Sequence, residues 1–268
     1  MTETLDAYLN LAVSCAYEAG RLTLGYFQRG IQAEFKADDS PVTIADRQAE
    51  ELIRSRIEAA YPYHAIIGEE FGEHNPDASH RWFVDPIDGT KSFVRGVPLY
   101  GVLIGIEING RVEIGAAYFP ALDEMLYAAS GQGCFLNGRQ VKVIDTPTLA
   151  RSVVSFTDAA NFAAYGREQA WQRVMQQTYY RVGWSDAYGH ALVASGRLEV
   201  MLDPIMNPWD CGPFPVLLRE AGGFFGSWDG QEGIHAGEAL STTQHLLPAI
   251  LQILNTDSDL VDLSSPQQ

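Results

Sequence analysis

Trp82-Phe83-Val84-Asp85-Pro86-Ile87-Asp88-Gly89-Thr90-Lys91-Ser92-Phe93 begins as a short apolar run and closes it with a carboxylate. That pattern predicts a buried strand delivering Asp85 at its C-terminal end. Pro86 has no N–H to donate and is expected to end the ladder. Asp88 follows three residues on, and Gly89-Thr90 opens a tight turn. Asp85, Asp88 and the turn carbonyl of Ile87 are thereby confined to one small volume. Like charges that close repel unless a cation lies between them, and an all-oxygen donor set of this kind suits Mg²⁺. The N–H groups of Gly89 and Thr90 are placed to face an anion, the more so if a helix begins there. A metal cage beside a phosphate cradle outlines a phosphoryl-transfer site. Asp-Pro and Asp-Gly are also ordinary turn dipeptides, so this stretch alone leaves a structural turn equally open.

Upstream, Ala65-Ile66-Ile67-Gly68-Glu69 repeats the same grammar: an apolar strand running into an acid. If the two strands are neighbours, Glu69 and Asp85 emerge at one sheet end, where α/β proteins place their sites. Glu70 is expected to face water or a basic neighbour. Thr43 reads as a helix N-cap with Asp46 three residues on. Asp46 is then a capping carboxylate, an acid aimed into a cleft, or both. The helix it starts runs to about Ala60. Before it, the spacing of Leu5, Tyr8, Leu9, Ala12, Ala16, Ala19, Leu22 and Phe27 predicts an amphipathic helix over residues 5–29.

Downstream, Leu99–Ile108, Val112–Phe119 and Glu124–Ala129 read as strands of an antiparallel meander, with turns at Asn109-Gly110 and Pro120–Asp123. Asn137-Gly138 marks one more hairpin before Val141–Ile144. Asp145-Thr146-Pro147 is the boundary between an N-terminal α+β half, 1–145, and a C-terminal α/β half, 146–268, packed as one compact unit. In the second half, strands over 153–156, 181–188 and 198–203 alternate with helices over 159–177 and 189–195. Asp186 and Glu199 are further acids there, Glu199 expected to be structural. Asp210 precedes an apolar helix over 214–220 closed by Gly222-Gly223. Residues 256–268 are polar and expected to fray.

The 268 residues carry a net charge of −16, which excludes a nucleic-acid backbone as partner. It does not exclude a small phosphate ester, because bound cations reverse the local field. Cys15, Cys134 and Cys211 are odd in number and scattered, with neither a disulfide framework nor zinc spacing. The acidic N-terminus lacks a signal-type apolar core, and no window approaches the ~18 apolar residues of a membrane span. A cytoplasmic protein without a membrane partner is expected.

Gly68-Glu69-Glu70, Asp85-Pro86-Ile87-Asp88-Gly89-Thr90 and Trp209-Asp210 followed by Glu220-Ala221-Gly222-Gly223 resemble the inositol monophosphatase family. Lys36 with Ser40-Pro41-Val42-Thr43 and Asp46 matches a fourth patch. The order is right over roughly residues 10–225. The resemblance implies a layered αβαβα sandwich and a homodimeric, Mg²⁺-dependent, Li⁺-sensitive phosphomonoesterase. Lys91-Ser92-Phe93 with Gly96-Val97-Pro98, Asp186-Ala187-Tyr188-Gly189 and Asp203-Pro204 look like the histidinol-phosphatase branch, which serves histidine biosynthesis. Cys211-Gly212-Pro213-Phe214-Pro215 departs from relatives, which carry small helix formers there, so that helix is expected to start late or kinked. His190 stands where a tyrosine or small residue is more usual.

By the same resemblance, one Mg²⁺ rests on Glu69, Asp85 and the Ile87 carbonyl, and a second on Asp85, Asp88 and Asp210. A third, weaker ion rests on Glu69, and Mn²⁺ is a possible substitute. Asp85 bridges the first two at the ~3.5–4 Å of two-metal phosphatases. Asp46, Thr90 and Glu69 are the implied catalytic residues. Asp88, Gly89, Thr90, Lys91, Asp186 and Asp210 are the implied substrate contacts, Asp186 facing a substrate ammonium. Lys36 is an electrostatic partner near the metals. Inositol or sugar phosphates, and 3′-phosphoadenosine phosphates, are the alternative substrates within the fold. A non-catalytic binding protein is disfavoured because none of the acids is missing.

Overall fold

A computed structural model describes residues 4–36 and 40–256. Its elements in chain order are α1 (Leu5–Leu24), β1 (Glu34–Phe35), β2 (Pro41–Val42), α2 (Ile44–Ala60), β3 (Ala65–Gly68), β4 (Gly72–His74), β5 (His80–Asp88) and α3 (Thr90–Val94). There follow β6 (Gly101–Ile108), β7 (Arg111–Phe119), β8 (Glu124–Ala129), β9 (Cys134–Leu136) and β10 (Arg139–Val141). The second half holds β11 (Val153–Ser155), α4 (Ala159–Ala164), α5 (Glu168–Gln177), β12 (Tyr180–Val182), α6 (Asp186–Ala194) and β13 (Val200–Asp203). The last elements are α7 (Pro208–Cys211), α8 (Phe214–Glu220), β14 (Gly223–Gly226), β15 (Ala239–Thr243) and α9 (Leu247–Leu254).

Eight strands form one sheet in the order β10-β9-β8-β7-β6-β5-β3-β4, and five form another in the order β12-β11-β13-β15-β14. The alternation of side chains along each strand sorts them into three cores. On β5 and β6, Trp82, Val84, Val102, Ile104 and Ile106 face α1 and α2. Phe83 and Leu103 point the other way, into a core shared with α6, α8 and the inner face of the second sheet, where Met201, Phe225 and Ala239 lie. The outer face of that sheet, with Val154, Val200, Leu202, Phe224 and Leu240, is covered by α4, α5 and α9. The second of these cores packs both sides of the middle helices, so the three together fill the four interfaces of an αβαβα sandwich. Each fully buried large side chain contributes about 1.5–3 kcal/mol, and both faces of both sheets are used.

The middle layer lies close to the first sheet because of its glycines. A Cβ on Gly105 would fall 2.1 Å from the Gly212 carbonyl oxygen, and one on Gly115 would fall 2.4 Å from that of Pro213. The Cys211-Gly212-Pro213 departure is thus the backbone of the α7–α8 junction resting directly on β6 and β7. It breaks the run into a short α7 and a later α8, as the prolines imply.

Several boundaries differ from expectation. Pro86 does not end the ladder: β5 pairs with β6 through Asp88, with a register shift between Asp85 and Asp88 that absorbs the missing donor. The first helix stops at Leu24, and residues 25–30 form turns with Gln28 and Gly30 at φ 58° and 71°. The 159–177 segment is two helices, broken at Gly166 with φ 71°. The hairpin strand after Asn137-Gly138 ends at Val141 rather than Ile144. The strand over 181–188 is only Tyr180–Val182, and its helix begins earlier, at Asp186. The expected fraying of 256–268 falls almost wholly outside the described residues. Among the described residues no helix is long and apolar enough to cross a membrane.

Candidate active site

β3 and β5 are parallel neighbours with Gly68 opposite Val84. The next residues, Glu69 and Asp85, therefore lie side by side at the end where β3 stops. The Asp85 carboxylate is held back over its own turn by the Ile87 N–H, 3.0 Å from Oδ1. Asp88 Oδ2 accepts from the Ala187 N–H at 2.9 Å, tying β5 to the start of α6. Asp210 is aimed by the cap of α7: its Oδ2 accepts from Asn207 N at 2.9 Å and from Asn207 Nδ2 at 3.2 Å. One carboxylate oxygen from each of Asp85, Asp88 and Asp210 lies within 4.8 Å of the other two. Glu69 makes an ion pair to Lys36 Nζ at 2.8 Å, while Glu70 pairs with the same ammonium at 2.7 Å.

So many acids in one buried place resist ionisation. Burial, then the charges of Glu69, Asp88 and Asp210, holds Asp85 well above the usual carboxylate range. Burial, then Asp186 and Asp210, does the same to Asp88. Burial pushes Asp210 up to about 7 against the hydrogen bonds from Asn207, and also raises Glu69 against its Lys36 partner. A divalent cation removes this penalty, and the donor set is all oxygen. The residues present therefore fit a hard cation.

Asp46 reaches the same place from α2. Its Oδ2 completes a capping box with Thr43 N at 2.8 Å and Oγ1 at 2.5 Å, while Oδ1 is 3.4 Å from Thr90 Oγ1. One carboxylate thus caps the helix and reaches Thr90. Burial, moderated by Thr43, pushes it up to about 6. Thr90 Oγ1 also donates to the Ile87 carbonyl at 3.0 Å. Gly89 is left-handed, at φ 78°, and a Cβ there would lie 3.0 Å from Asp186 Oδ2. The Asp186 carboxyl, raised by burial against a hydrogen bond from Ser185, stands directly across from the Gly89-Thr90 turn.

The acid cluster opens on one cavity of about 420 Å³, which Asp46 does not line: it is wholly buried and meets the site only through Thr90. Glu69, Asp85, Ile87, Asp88, Gly89, Thr90, Lys91, Asp186 and Asp210 all line it. Lys36 touches it through Glu69, and Glu199 is elsewhere, bonded to Thr146 Oγ1 and Val153 N. Sequence reasoning missed Asn207 and the wall of Thr157, Asp158 and Asn161. Both had signals: Asn207 stands three residues before Asp210 in cap spacing, and Asp158 is an acid three residues past the end of β11. It also missed Glu50, wholly buried on α2, which accepts from Glu70 N at 2.7 Å and Phe71 N at 3.2 Å. Glu50 thereby fixes the turn that carries Glu69.

The profile described as "Inositol monophosphatase family" matches residues 4–257. The chain belongs to that family. It is 44% identical to a histidinol-phosphatase of Chlorobaculum parvum over 240 residues, 89% of this chain and 93% of that protein. It is 32% identical to an inositol-1-monophosphatase of Mesorhizobium japonicum, over 92% of this chain and 96% of that protein. Among solved structures it resembles extragenic suppressor protein suhB from Bartonella henselae, with a TM-score of 0.86 at 28% identity, covering 93% and 99% of the two chains. This membership makes the protein a phosphatase and agrees with the five-layer fold.

Proposed function

We propose that the protein is a Mg²⁺-dependent histidinol-phosphate phosphatase, releasing L-histidinol and inorganic phosphate in histidine biosynthesis. The observation that carries it is the Asp85–Asp88–Asp210 cluster and the Asp186 carboxylate facing one cavity. The first is a place for cations and a phosphate, the second for an ammonium on the leaving group. The 44% identity to a histidinol-phosphatase supports the same substrate. Three cysteines, all free and buried, fit a cytoplasmic setting.

Glu69, Asp85 and the Ile87 carbonyl would hold one ion, and Asp85, Asp88 and Asp210 another. When bound, the ions neutralise phosphate charge, acidify the attacking water and stabilise the leaving oxygen. The chain's own groups do the rest. The Gly89 and Thr90 N–H groups orient the phosphate. Thr90 Oγ1, 3.4 Å from Asp46 Oδ1, takes part in removing the water's proton. Asp46, pushed up to about 6, is suited to accept it near neutral pH. A P–O bond forms from water as the ester P–O bond breaks, and the departing alkoxide takes up a proton from solvent water. Asp186 and Lys91 flank the leaving group, the acid favouring a cationic one.

Turnover of L-histidinol phosphate and inositol 1-phosphate, measured side by side with Mg²⁺, tests this reading. A higher kcat/KM for histidinol phosphate is expected. A clear preference for inositol 1-phosphate would replace it with the inositol reading.

A further inference from the structure

Behind the Thr157–Asp186 wall runs a buried polar chain that the reaction as described leaves unused. His190 is wholly buried and lies one turn after Asp186 on α6, so the two share a helix face. Its Nδ1 is 2.7 Å from Ser241 Oγ on β15, and its Nε2 is 3.1 Å from Asp203 Oδ2 at the end of β13. Asp203, itself buried, accepts from Thr157 N at 3.2 Å through Oδ1. Thr157 Oγ1 in turn accepts from Asp186 N at 3.1 Å. The Asp203 carboxylate accepts from Nε2–H, and the Ser241 hydroxyl bonds Nδ1.

Packing does not explain this histidine. Its ring sits 5.2 Å from Phe214 and 5.3 Å from Phe225, in surroundings that an apolar ring would fill. A buried imidazole costs free energy unless both nitrogens are bonded, and here both are. The wall it supports is not self-supporting. Ser185 and Asp186 are consecutive non-glycine residues at φ 53° and 38°, a conformation that persists only where surrounding contacts impose it.

We propose that His190 and Asp203 are a positioning pair for a cation subsite. They fix Thr157 and the Asp186 carboxylate in place and set a second negative charge behind it, so selecting substrates whose leaving group carries an ammonium. This rests on the reading of Asp186 as the ammonium partner. The pair touches neither substrate nor metal and acts through Thr157 and Asp186.

The test uses the full-length Mg²⁺-loaded enzyme and its His190→Phe, Asp203→Asn and Asp186→Asn variants. KM and kcat are measured for L-histidinol phosphate and for the neutral esters inositol 1-phosphate and glycerol 2-phosphate. His190→Phe keeps a planar ring, slightly larger, and removes both hydrogen bonds. Asp203→Asn keeps an acceptor for Thr157 N and removes the charge. Each is expected to raise KM for histidinol phosphate about 5- to 20-fold with kcat within about twofold, and to leave the neutral esters nearly unchanged. Product inhibition by L-histidinol, which has the ammonium and no phosphate, should weaken by the same factor. Equal losses on all esters, with a lowered Tm, would reduce the pair to structural support and overturn the proposal. Should His190→Phe fail to fold, Asp203→Asn and the milder Ser241→Ala decide by the same criterion. If Asp186→Asn discriminates between the esters and the pair does not, the positioning role alone falls. If Asp186→Asn does not discriminate either, the ammonium reading falls with it.

Discussion

Asp88 does two jobs with one carboxylate: it joins the acid cluster and it accepts the Ala187 N–H. Asp88→Asn keeps an oxygen for Ala187 and deletes only the charge, so the fold should survive. Charge neutralisation at a phosphoryl site is worth several kcal/mol, which predicts a fall in kcat/KM of about 10²- to 10³-fold. Circular dichroism should remain native, and calorimetric Mg²⁺ affinity should drop. Wild-type turnover would remove Asp88 from the site. At Asp186, the Asn variant should raise KM for histidinol phosphate about tenfold more than for inositol 1-phosphate; an equal rise would refute the ammonium role. Residues of this kind differ in how visible they are before folding. Asp85 and Asp88 are close in sequence, so turn chemistry alone joins them. Glu69 follows from two strands with the same ending. Asp210 is 122 positions beyond Asp88, and nothing local says that its helix start meets β5; only the family pattern does. Thr157, Asp158 and Asn161 come to the cavity because β11 lies parallel to β13 in the second sheet, a pairing no short window encodes.

Elements were legible where hydrophobic period and turn residues agree, and misread where tertiary contacts override them. The meander from β6 to β8 follows from its apolar runs and Asn-Gly turn. β15 does not: Ala239-Leu240-Ser241-Thr242-Thr243 is buried throughout yet half polar, because Ser241 serves His190 and Thr242 the Glu199 carbonyl. Pro86 misleads because its missing donor coincides with the register shift in β5. α6 starts early because Asp88 and Thr157 hold its first N–H groups. The α7–α8 junction makes the element-scale case testable. Gly105→Ala would drive a Cβ into the Gly212 carbonyl, backbone against backbone, with no flexible side chain to yield. A loss of about 1–3 kcal/mol or more is expected, read as a lower urea midpoint. Because α7 carries Asp210, Mg²⁺ affinity should weaken too; unchanged stability and affinity would mean the junction is not in contact with β6. Glu50→Ala tests the other support. It strips the Glu70 and Phe71 N–H groups of their acceptor and leaves Arg54, 2.7 Å away, without that partner. About 3–5 kcal/mol of stability should go, with a higher Mg²⁺ requirement. Full metal affinity in a folded variant would show that the Glu69 turn holds itself.

At the scale of the molecule, a chain of net charge −16 concentrates its most crowded acids at one sheet end, and that concentration opposes folding unless a cation is present. The sign follows from proton binding. Asp85, Asp88, Glu69, Asp46 and Asp210 all have raised values in the folded protein, Asp46 about 6 and Asp210 about 7. Well below the unfolded aspartate value of 3.8, both folded and unfolded chains hold most of these protons, and the acids cost little. As pH rises, the unfolded chain releases its protons first, so it binds fewer than the folded one, and stability falls. For Asp46 the loss is complete above about 6, and for Asp210 above about 7. For Asp210, the shift from 3.8 to about 7 sets the scale at a few kcal/mol. A divalent ion needs the same carboxylates ionised, so loading it releases protons and is favoured by rising pH. The gap in Tm between Mg²⁺-saturated and chelator-stripped protein should therefore be small at pH 5 and widen steadily to pH 8, at constant ionic strength. Differential scanning calorimetry across that range measures it directly. The exposed acids titrate alike in both samples and cancel from the difference. A gap that is flat or narrows as pH rises would mean that these carboxylates do not meet on a common cation.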